Sequence, residues 1–236
     1  MSHNLLNGIK FVWFDLDDTL YDFKASSEIA LKRVYADFNL CEFFSSEDEW
    51  KNIYHRHNAA LWDKYNRAEV AMETLRHDRF FLPLAEAGAP AERARKLVLP
   101  LDKAYLRHLA DTGLTLPYAR ETLKELRDKG FRIGILSNGF TDVQYDKLRT
   151  SGLAPLIDCV VLSDEIGANK PNRTLFDYAL RKAGTKAADS VLVGDNPDTD
   201  IAGALGAGWR AILFDPFDRF PSVNPRISSL NSLIDG

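Results

Sequence analysis

Three acidic side chains stand close together near the start of the chain, in the segment Asp15-Leu16-Asp17-Asp18-Thr19-Leu20. Asp15 and Asp17 are two positions apart, so at the end of an extended strand their side chains are expected to leave on the same face. Two carboxylates at such a short distance repel each other unless a cation lies between them. Oxygen-only ligands favour Mg²⁺ over Zn²⁺. The segment therefore predicts a magnesium site, with an acidic turn after a strand as the alternative.

The elements that would position these residues are short buried strands. The apolar run from Ile9 to Phe14, broken only by Lys10, is typical of a strand in a parallel sheet. Further strand-like runs occupy residues 131–136, 157–162, 190–193 and 209–214, and helical patterns separate them. This alternation predicts an α/β fold with a doubly wound parallel sheet, a Rossmann-like core and right-handed crossovers.

Polar clusters follow three of the later strand-like runs: Ser137-Asn138-Gly139, Lys170-Pro171, and Gly194-Asp195 with Asp200. The carboxyl ends of parallel strands share one edge of the sheet, so these clusters are expected to meet the first acidic segment there. Carboxylates, a hydroxyl, backbone donors and a lysine together suit phosphoryl transfer. The alternatives are an ordinary turn for the first cluster and a solvated loop lysine for the second. In the third, we predict that Asp198 or Thr199 caps the next helix and that Asp200 belongs to the site.

The segment between the first motif and the second strand has a different character. Residues 21–113 contain no convincing strand and carry four helical stripes. Ser46 to Glu49 has the form of a capping box, Gly88 is expected to end the third helix, and Pro100 to kink or break the fourth. The sequence thus predicts a catalytic core of residues 1–20 and 114–236, with an all-helical cap of residues 21–113 inserted between them.

Candidate ligand-binding side chains within this helical segment have structural alternatives. His55 and His57 are two positions apart on a predicted helix, so they point to different faces and make a poor metal pair. Four aromatic residues are expected to pack in the core, with stacking against a bound base as the alternative; they are Trp62, Tyr65, Phe80 and Phe81.

Composition limits the class of protein. The chain has 236 residues, 45% of them hydrophobic and 27% charged, which is ordinary for a soluble folded protein. A net charge of −4 without a basic stripe argues against nucleic acid polymers as partners. Cys41 and Cys159 are expected to be reduced and partly buried. Without a signal peptide within Met1 to Lys10 or an apolar run of about 20 residues, we expect a cytoplasmic protein without membrane contact.

The four motifs, in this order and context, resemble those of the haloacid dehalogenase-like hydrolase superfamily. Within it, the runs Ser137-Asn138-Gly139-Phe140-Thr141 and Lys170-Pro171-Asn172, with Leu61-Trp62 and Tyr65, resemble bacterial pyrimidine-type 5′-nucleotidases. The commoner first motif of the superfamily has glycine where Asp18 stands. Aspartate tolerates positive φ better than most residues, so this departure is expected to leave the site intact.

The resemblance implies a role for each motif residue. Asp15 is the nucleophile, and Asp17 protonates the leaving oxygen and then deprotonates the attacking water. Lys170 neutralises the nucleophile and the transferring group. The resemblance also implies a phosphate site at Ser137, Asn138, Gly139 and Lys170, Mg²⁺ ligands from Asp15, Asp195 and the backbone carbonyl of Asp17, and supporting roles for Thr19 and Asp200.

The presence of Asp17 favours a phosphatase over a haloalkanoate dehalogenase, because an alkoxide leaving group needs an acid. We therefore predict a Mg²⁺-dependent phosphomonoesterase that forms an aspartyl-phosphate and acts on nucleoside monophosphates, as a monomer or homodimer. A sugar-phosphate phosphatase or phosphomutase of the same superfamily is the alternative enzyme. A receiver-like signalling domain, phosphorylated once per chain, is the alternative without turnover.

Overall fold

The central strand of the core, β1, is Phe11–Phe14, and all four of its residues are buried. Val12 and Phe14 belong to one hydrophobic cluster, and Phe11 and Trp13 belong to a second cluster. Successive side chains of a strand point to opposite faces, so β1 is covered on both sides. This explains why its sequence has no polar alternation and confirms the predicted buried strand of a parallel sheet. The computed structural model of the chain describes residues 5–234.

Five more strands complete a parallel sheet. They are β2 (Arg132–Ser137), β3 (Cys159–Leu162), β4 (Ser190–Gly194), β5 (Arg210–Phe214) and β6 (Arg226–Ile227). Their order is β3-β2-β1-β4-β5-β6, and every neighbouring pair is parallel. The strand order reverses beside β1, between β2 and β4, which is where open α/β sheets bind ligands. The sequence did not predict β6, because two residues form no recognisable apolar run.

Helices cover both faces of the sheet. They are α5 (Ala119–Asp128), α6 (Thr141–Thr150), α7 (Arg173–Ala183) and α8 (Ala202–Gly206). Leu123 of α5 and Leu148 of α6 join the cluster that contains Val12, whereas Phe176 of α7 and Ala204 of α8 join the cluster that contains Trp13. The predicted doubly wound α/β fold is therefore confirmed.

The chain divides into two compact units, Met1–Phe23 with Gly113–Gly236, and Lys24–Thr112. The predicted assignment of a catalytic core and an inserted helical cap, with boundaries after Leu20 and after Gly113, stays a prediction. The remaining helices are α1 (Phe23–Asp37), α2 (Glu47–Asn66), α3 (Met72–Glu86) and α4 (Ala91–Asp111). Of the predicted kink or break at Pro100, the break is wrong, because α4 continues through this residue; the kink stays a prediction.

Local sequence explains the start of α2. Ser46 accepts a hydrogen bond from the backbone N–H of Glu49 at 3.1 Å. The Glu49 carboxylate accepts from the backbone N–H of Ser45 at 2.6 Å, so the return bond of the predicted capping box reaches one residue further back.

Aromatic side chains form the core of the helical unit. Trp50 and Tyr54 of α2 pack with Phe80 of α3 and Tyr105 of α4 at ring-centroid distances from 5.3 to 6.3 Å. Tyr65 is also buried, whereas Trp62 and Phe81 are only half-buried. The core interpretation thus holds for Phe80 and Tyr65.

Within residues 5–234, the histidines and cysteines form neither a cluster that could hold a metal ion nor a disulfide. His55 contacts Glu28 at 2.6 Å and His57 contacts Glu86 at 2.7 Å, so the two rings face different partners as predicted. Both cysteines are free; Cys159 is half-buried, but Cys41 is exposed, contrary to the prediction. Among residues 5–234, the helices lack the combination of length and apolar character that crossing a bilayer requires.

Candidate active site

The carboxyl edge of the sheet gathers the predicted site residues. Asp15 follows β1, Ser137 ends β2, and Asp195 follows β4. The backbone N–H of Asp15 donates to the carbonyl of Val193 at 2.9 Å, which keeps β1 and β4 paired up to the first acidic residue. Parallel pairing therefore brings together side chains that lie more than a hundred residues apart in sequence.

Lys170 lies at the centre of the site. Its side chain is 2% exposed, and its Nζ lies 2.6 Å from Oδ1 of Asp15 and 2.6 Å from Oδ1 of Asp200. Burial opposes the charge on Lys170, but the two carboxylates outweigh it, so the pKa of this lysine is raised and the ammonium form persists. The alternative of a solvated loop lysine is wrong.

Asp195 and Asp200 are positioned by the turn that follows β4. Gly194 is required there, because a Cβ at this position would lie 2.3 Å from Oδ2 of Asp200. Oδ2 of Asp200 also accepts a hydrogen bond from the backbone N–H of Asn196 at 3.1 Å. The cap of the helical turn Pro197–Ile201 is Asn196, whose side chain accepts from the next backbone N–H groups, so the prediction of Asp198 or Thr199 is wrong. Asp200 does not serve as this cap, and its role in the site stays a prediction.

Three carboxylates form a compact acidic cluster. One oxygen from each of Asp15, Asp195 and Asp200 lies within 4.8 Å of the others. Burial and the charges of Asp200 and Asp18 raise the pKa of Asp195 to about 7. Burial is also the largest cause that raises the pKa of Asp15, although Lys170 opposes the shift.

A divalent cation fits this cluster. One ammonium beside three carboxylates leaves an excess of negative charge. This excess makes the carboxyl groups harder to ionise, in agreement with the raised pKa values of Asp15 and Asp195. The donor atoms are carboxylate oxygens, the ligands that Mg²⁺ prefers. The side chains that fit the ion are those of Asp15, Asp195 and Asp200, whereas the resemblance had given Asp200 only a supporting role.

The side chain of Asp17 has a different cationic partner. Lys147 Nζ donates to its two oxygens at 2.7 and 2.9 Å, and Nε2 of Gln144 donates to Oδ2 at 3.1 Å. The expectation that the side chains of Asp15 and Asp17 share one cation is therefore wrong, because Lys170 pairs with the first and Lys147 with the second. A role for the backbone carbonyl of Asp17 as a metal ligand stays a prediction.

The residues after β2 divide between two tasks. Oγ of Ser137 accepts hydrogen bonds from the backbone N–H of Gly139 at 3.1 Å and from Nε2 of Gln144 at 2.8 Å. The amide of Asn138 instead holds the backbone of Lys170, donating to its carbonyl at 3.1 Å and accepting from its N–H at 2.7 Å. The Asn138 side chain thus positions the lysine, and the place of Asn138 in the phosphate site stays a prediction.

The remaining first-motif residues shape the loop after β1. Asp18 has a φ of 57°, the left-handed region expected where the commoner motif has glycine. Thr19 is completely buried, and its Oγ1 has no hydrogen-bond partner among residues 5–234. Its predicted supporting role is consistent with this packed position but is not tested by it.

Sequence reasoning missed three charged or polar residues near the site. Gln144 and Lys147 lie three positions apart on α6, and their signal was the presence of polar residues at buried positions of that helix. Arg219 lies 3.8 Å from Asp195 and 3.9 Å from the buried Asp215. No periodicity or motif in the loop after β5 indicated this arginine.

Comparison with known proteins agrees with the geometry. The family model for haloacid dehalogenase-like hydrolases matches residues 9–208. The chain is 34% identical to the pyrimidine 5′-nucleotidase YjjG of Escherichia coli, over 84% of this chain and 82% of that protein. It is also 34% identical to a glyceraldehyde 3-phosphate phosphatase of Methanothermobacter thermautotrophicus, over 87% of this chain and 85% of the relative.

A solved structure supports the same conclusion. The magnesium-bound HAD-hydrolase YfnB of Bacillus subtilis is 26% identical, with a TM-score of 0.85 over 95% of this chain and 96% of that chain. The family model covers most of the chain, and the matched range of residues 9–208 contains all four predicted motifs. The protein described here belongs to the haloacid dehalogenase-like hydrolase family.

Proposed function

We propose that this protein is a Mg²⁺-dependent phosphomonoester hydrolase that works through an aspartyl-phosphate on Asp15. The observation that carries the proposal is the buried cluster in which Lys170 Nζ lies 2.6 Å from both Asp15 and Asp200, beside Asp195. A buried carboxylate next to a fixed ammonium can act as a nucleophile and have its developing charge balanced in place.

The chain's own residues supply the steps of the reaction. An oxygen of Asp15 forms a bond to phosphorus while the bond to the leaving oxygen breaks, and Lys170 balances the charge of the transferring group. Asp17 gives a proton to the leaving oxygen, then takes one from the water that cleaves the aspartyl-phosphate. Ser137 donates its hydroxyl to a phosphate oxygen. Mg²⁺ bound at the acidic cluster would supply positive charge that favours ionised Asp15 and attracts the phosphate.

For the substrate we propose nucleoside monophosphates. The support is the resemblance of the second and third motifs to pyrimidine-type 5′-nucleotidases, together with the name of the Escherichia coli relative at 34% identity. A sugar-phosphate type of ester is the second candidate, because the Methanothermobacter relative named for glyceraldehyde 3-phosphate has the same identity. A phosphomutase would use the same motif residues and would be recognised by transfer of phosphate to a second sugar hydroxyl.

The test is phosphate release from a panel of esters, measured with Mg²⁺ and with EDTA. The panel contains pyrimidine and purine nucleoside monophosphates, sugar phosphates and phosphoserine. We expect Mg²⁺-dependent turnover with the highest kcat/KM for nucleotides. A preference for sugar phosphates would retain the mechanism and reject the substrate, and phosphate retained once per chain without turnover would favour the receiver-like alternative.

A further inference from the structure

We propose that Gln144 and Lys147, neither of which belongs to a motif, are positioning residues that hold Asp17 for proton transfer and fix the hydroxyl of Ser137 as a donor to phosphate. The proposal rests on the function proposed above. The two residues are three positions apart on α6, so their side chains leave the helix on one face. Gln144 is completely buried, and Lys147 is only 2% exposed.

Lys147 fixes the carboxylate of Asp17 through both oxygens, at 2.7 and 2.9 Å. The rings of Tyr21 and Phe23 lie 5.4 and 5.1 Å from the ammonium, so its surroundings include aromatic faces as well as the carboxylate. A lysine is rarely buried to this extent unless a specific partner holds it. The pairing therefore places the ammonium of Lys147 against the carboxylate that the mechanism uses for proton transfer.

Gln144 connects Asp17 with Ser137 through a single nitrogen. Its Nε2 lies 3.1 Å from Oδ2 of Asp17 and 2.8 Å from Oγ of Ser137. A carboxylate only accepts hydrogen bonds, so the amide nitrogen and not the amide oxygen must face Asp17. Both protons of the amide are then used, one for each partner. Oε1 of Gln144 is buried and accepts no hydrogen bond from residues 5–234.

This geometry determines the direction of the Ser137 hydroxyl. Oγ already accepts from the backbone N–H of Gly139 and from Gln144. A hydroxyl has two acceptor positions and one proton, so the position that remains is that of a donor. A hydroxyl held as a donor suits an anionic oxygen of a phosphate ester, and Gln144 is one of the two groups that hold it so.

The same geometry favours proton transfer from Asp17 to the leaving oxygen. When the leaving oxygen takes this proton, the electron pair of the O–H bond stays on Asp17 and leaves a carboxylate. Lys147 and Gln144 donate to that carboxylate and so stabilise the product of the transfer. Esters that leave as alkoxides need the proton, whereas a nitrophenolate leaves without it.

The experiment compares kcat/KM for a nucleoside monophosphate with kcat/KM for p-nitrophenyl phosphate in matched variants. This parameter reports the steps up to phosphorylation of Asp15, where the leaving group departs. We expect Lys147→Met to lower the value for the nucleotide about 10- to 100-fold more than the value for the aryl ester, as part of the general-acid contribution. Lys147→Arg, which keeps the charge, should recover most of the difference.

Two further variants separate positioning from a merely structural effect. Gln144→Met keeps the length of the side chain and removes its donors, so we expect the same change in the ester ratio and about tenfold weaker inhibition by inorganic phosphate. The control is Arg149→Met, which removes an exposed cation of α6 that pairs with Asp146. It should leave the ester ratio and the inhibition by inorganic phosphate unchanged.

The proposal would be overturned if Lys147→Met or Gln144→Met kept the wild-type melting temperature and the wild-type ratio of kcat/KM for the two esters. Turnover by the wild type would in that case still support the proposed function. Failure of the wild type to hydrolyse either ester would instead overturn the function, and the proposal with it. If Lys147→Met does not fold, Gln144→Met and Lys147→Arg decide the outcome by the same ratio.

Discussion

The charge excess of the acidic cluster predicts that one active-site substitution stabilises the metal-free protein. Burial and neighbouring carboxylates raise the pKa of Asp195 from its ordinary value of 3.8 to about 7. A carboxyl group with a raised pKa binds a proton more tightly in the folded state than in the unfolded state. The free energy of unfolding therefore falls as the pH rises from about 4 to 7. Asp195→Asn removes the charge and should remove this loss.

The magnitude follows from the pKa difference. Each pH unit corresponds to about 1.4 kcal/mol, so the penalty has a ceiling of about 4 kcal/mol at pH 8 and about 1.7 kcal/mol at pH 5. Because the side chain of Asp195 is 22% exposed, water relieves part of the repulsion. We expect the variant to gain about 1 to 4 kcal/mol at pH 8 in EDTA, and clearly less at pH 5.

Urea unfolding in EDTA at pH 5 and pH 8 measures both values. Asp198→Asn is the matched control, because Asp198 is an exposed carboxylate in the same turn. Adding Mg²⁺ at pH 8 should stabilise the wild type by mass action and should stabilise Asp195→Asn much less. A gain that is absent at pH 8, or equal at both pH values, would refute the reasoning about charge excess in the cluster.

Four other substitutions test other parts of the structure. Asp15→Asn should lower kcat on the order of 10³-fold or more while the melting curve stays cooperative, and full activity would reject the nucleophile. Asp17→Asn should slow turnover about 10²- to 10⁴-fold in the phosphate-release assay, and an unchanged rate would remove its acid–base role. Gly139→Ala would place a Cβ 2.1 Å from Nε2 of Gln144, so we expect a loss of about 1–3 kcal/mol in urea unfolding together with lower kcat/KM; a neutral result would show that the amide moves freely. Trp50→Ala should cost about 3–5 kcal/mol of unfolding free energy, because its ring is fully buried among aromatic neighbours; a loss below 1 kcal/mol would contradict the assignment of that core.

Local patterns determined the main architecture. β1 was recognisable because a strand covered on both faces needs apolar residues at every position, and its end was marked by Asp15. The polar clusters after later strands could be assigned to one edge, because parallel strands end on the same side. Positive φ at Asp18 was predictable from the motif, since few residues other than glycine adopt it.

Long-range packing decided what local patterns left open. The contact between Lys170 and Asp15 joins residues 155 positions apart, and only the assembled sheet shows that the lysine is buried instead of solvated. The cap of the turn after β4 is Asn196, because its side chain and not that of Asp198 or Thr199 reaches the free backbone N–H groups.

The partners of Asp17 show most clearly where sequence reasoning ends. The sequence placed Asp17 two positions from Asp15 and predicted a shared cation, whereas the fold gives it Lys147 and Gln144 from a helix about 130 residues away. Spacing along a strand determines which residues are near one another in the chain. Which charges neutralise each carboxylate depends on the helices that pack against the sheet, because buried charges take their partners from whatever tertiary structure brings within reach.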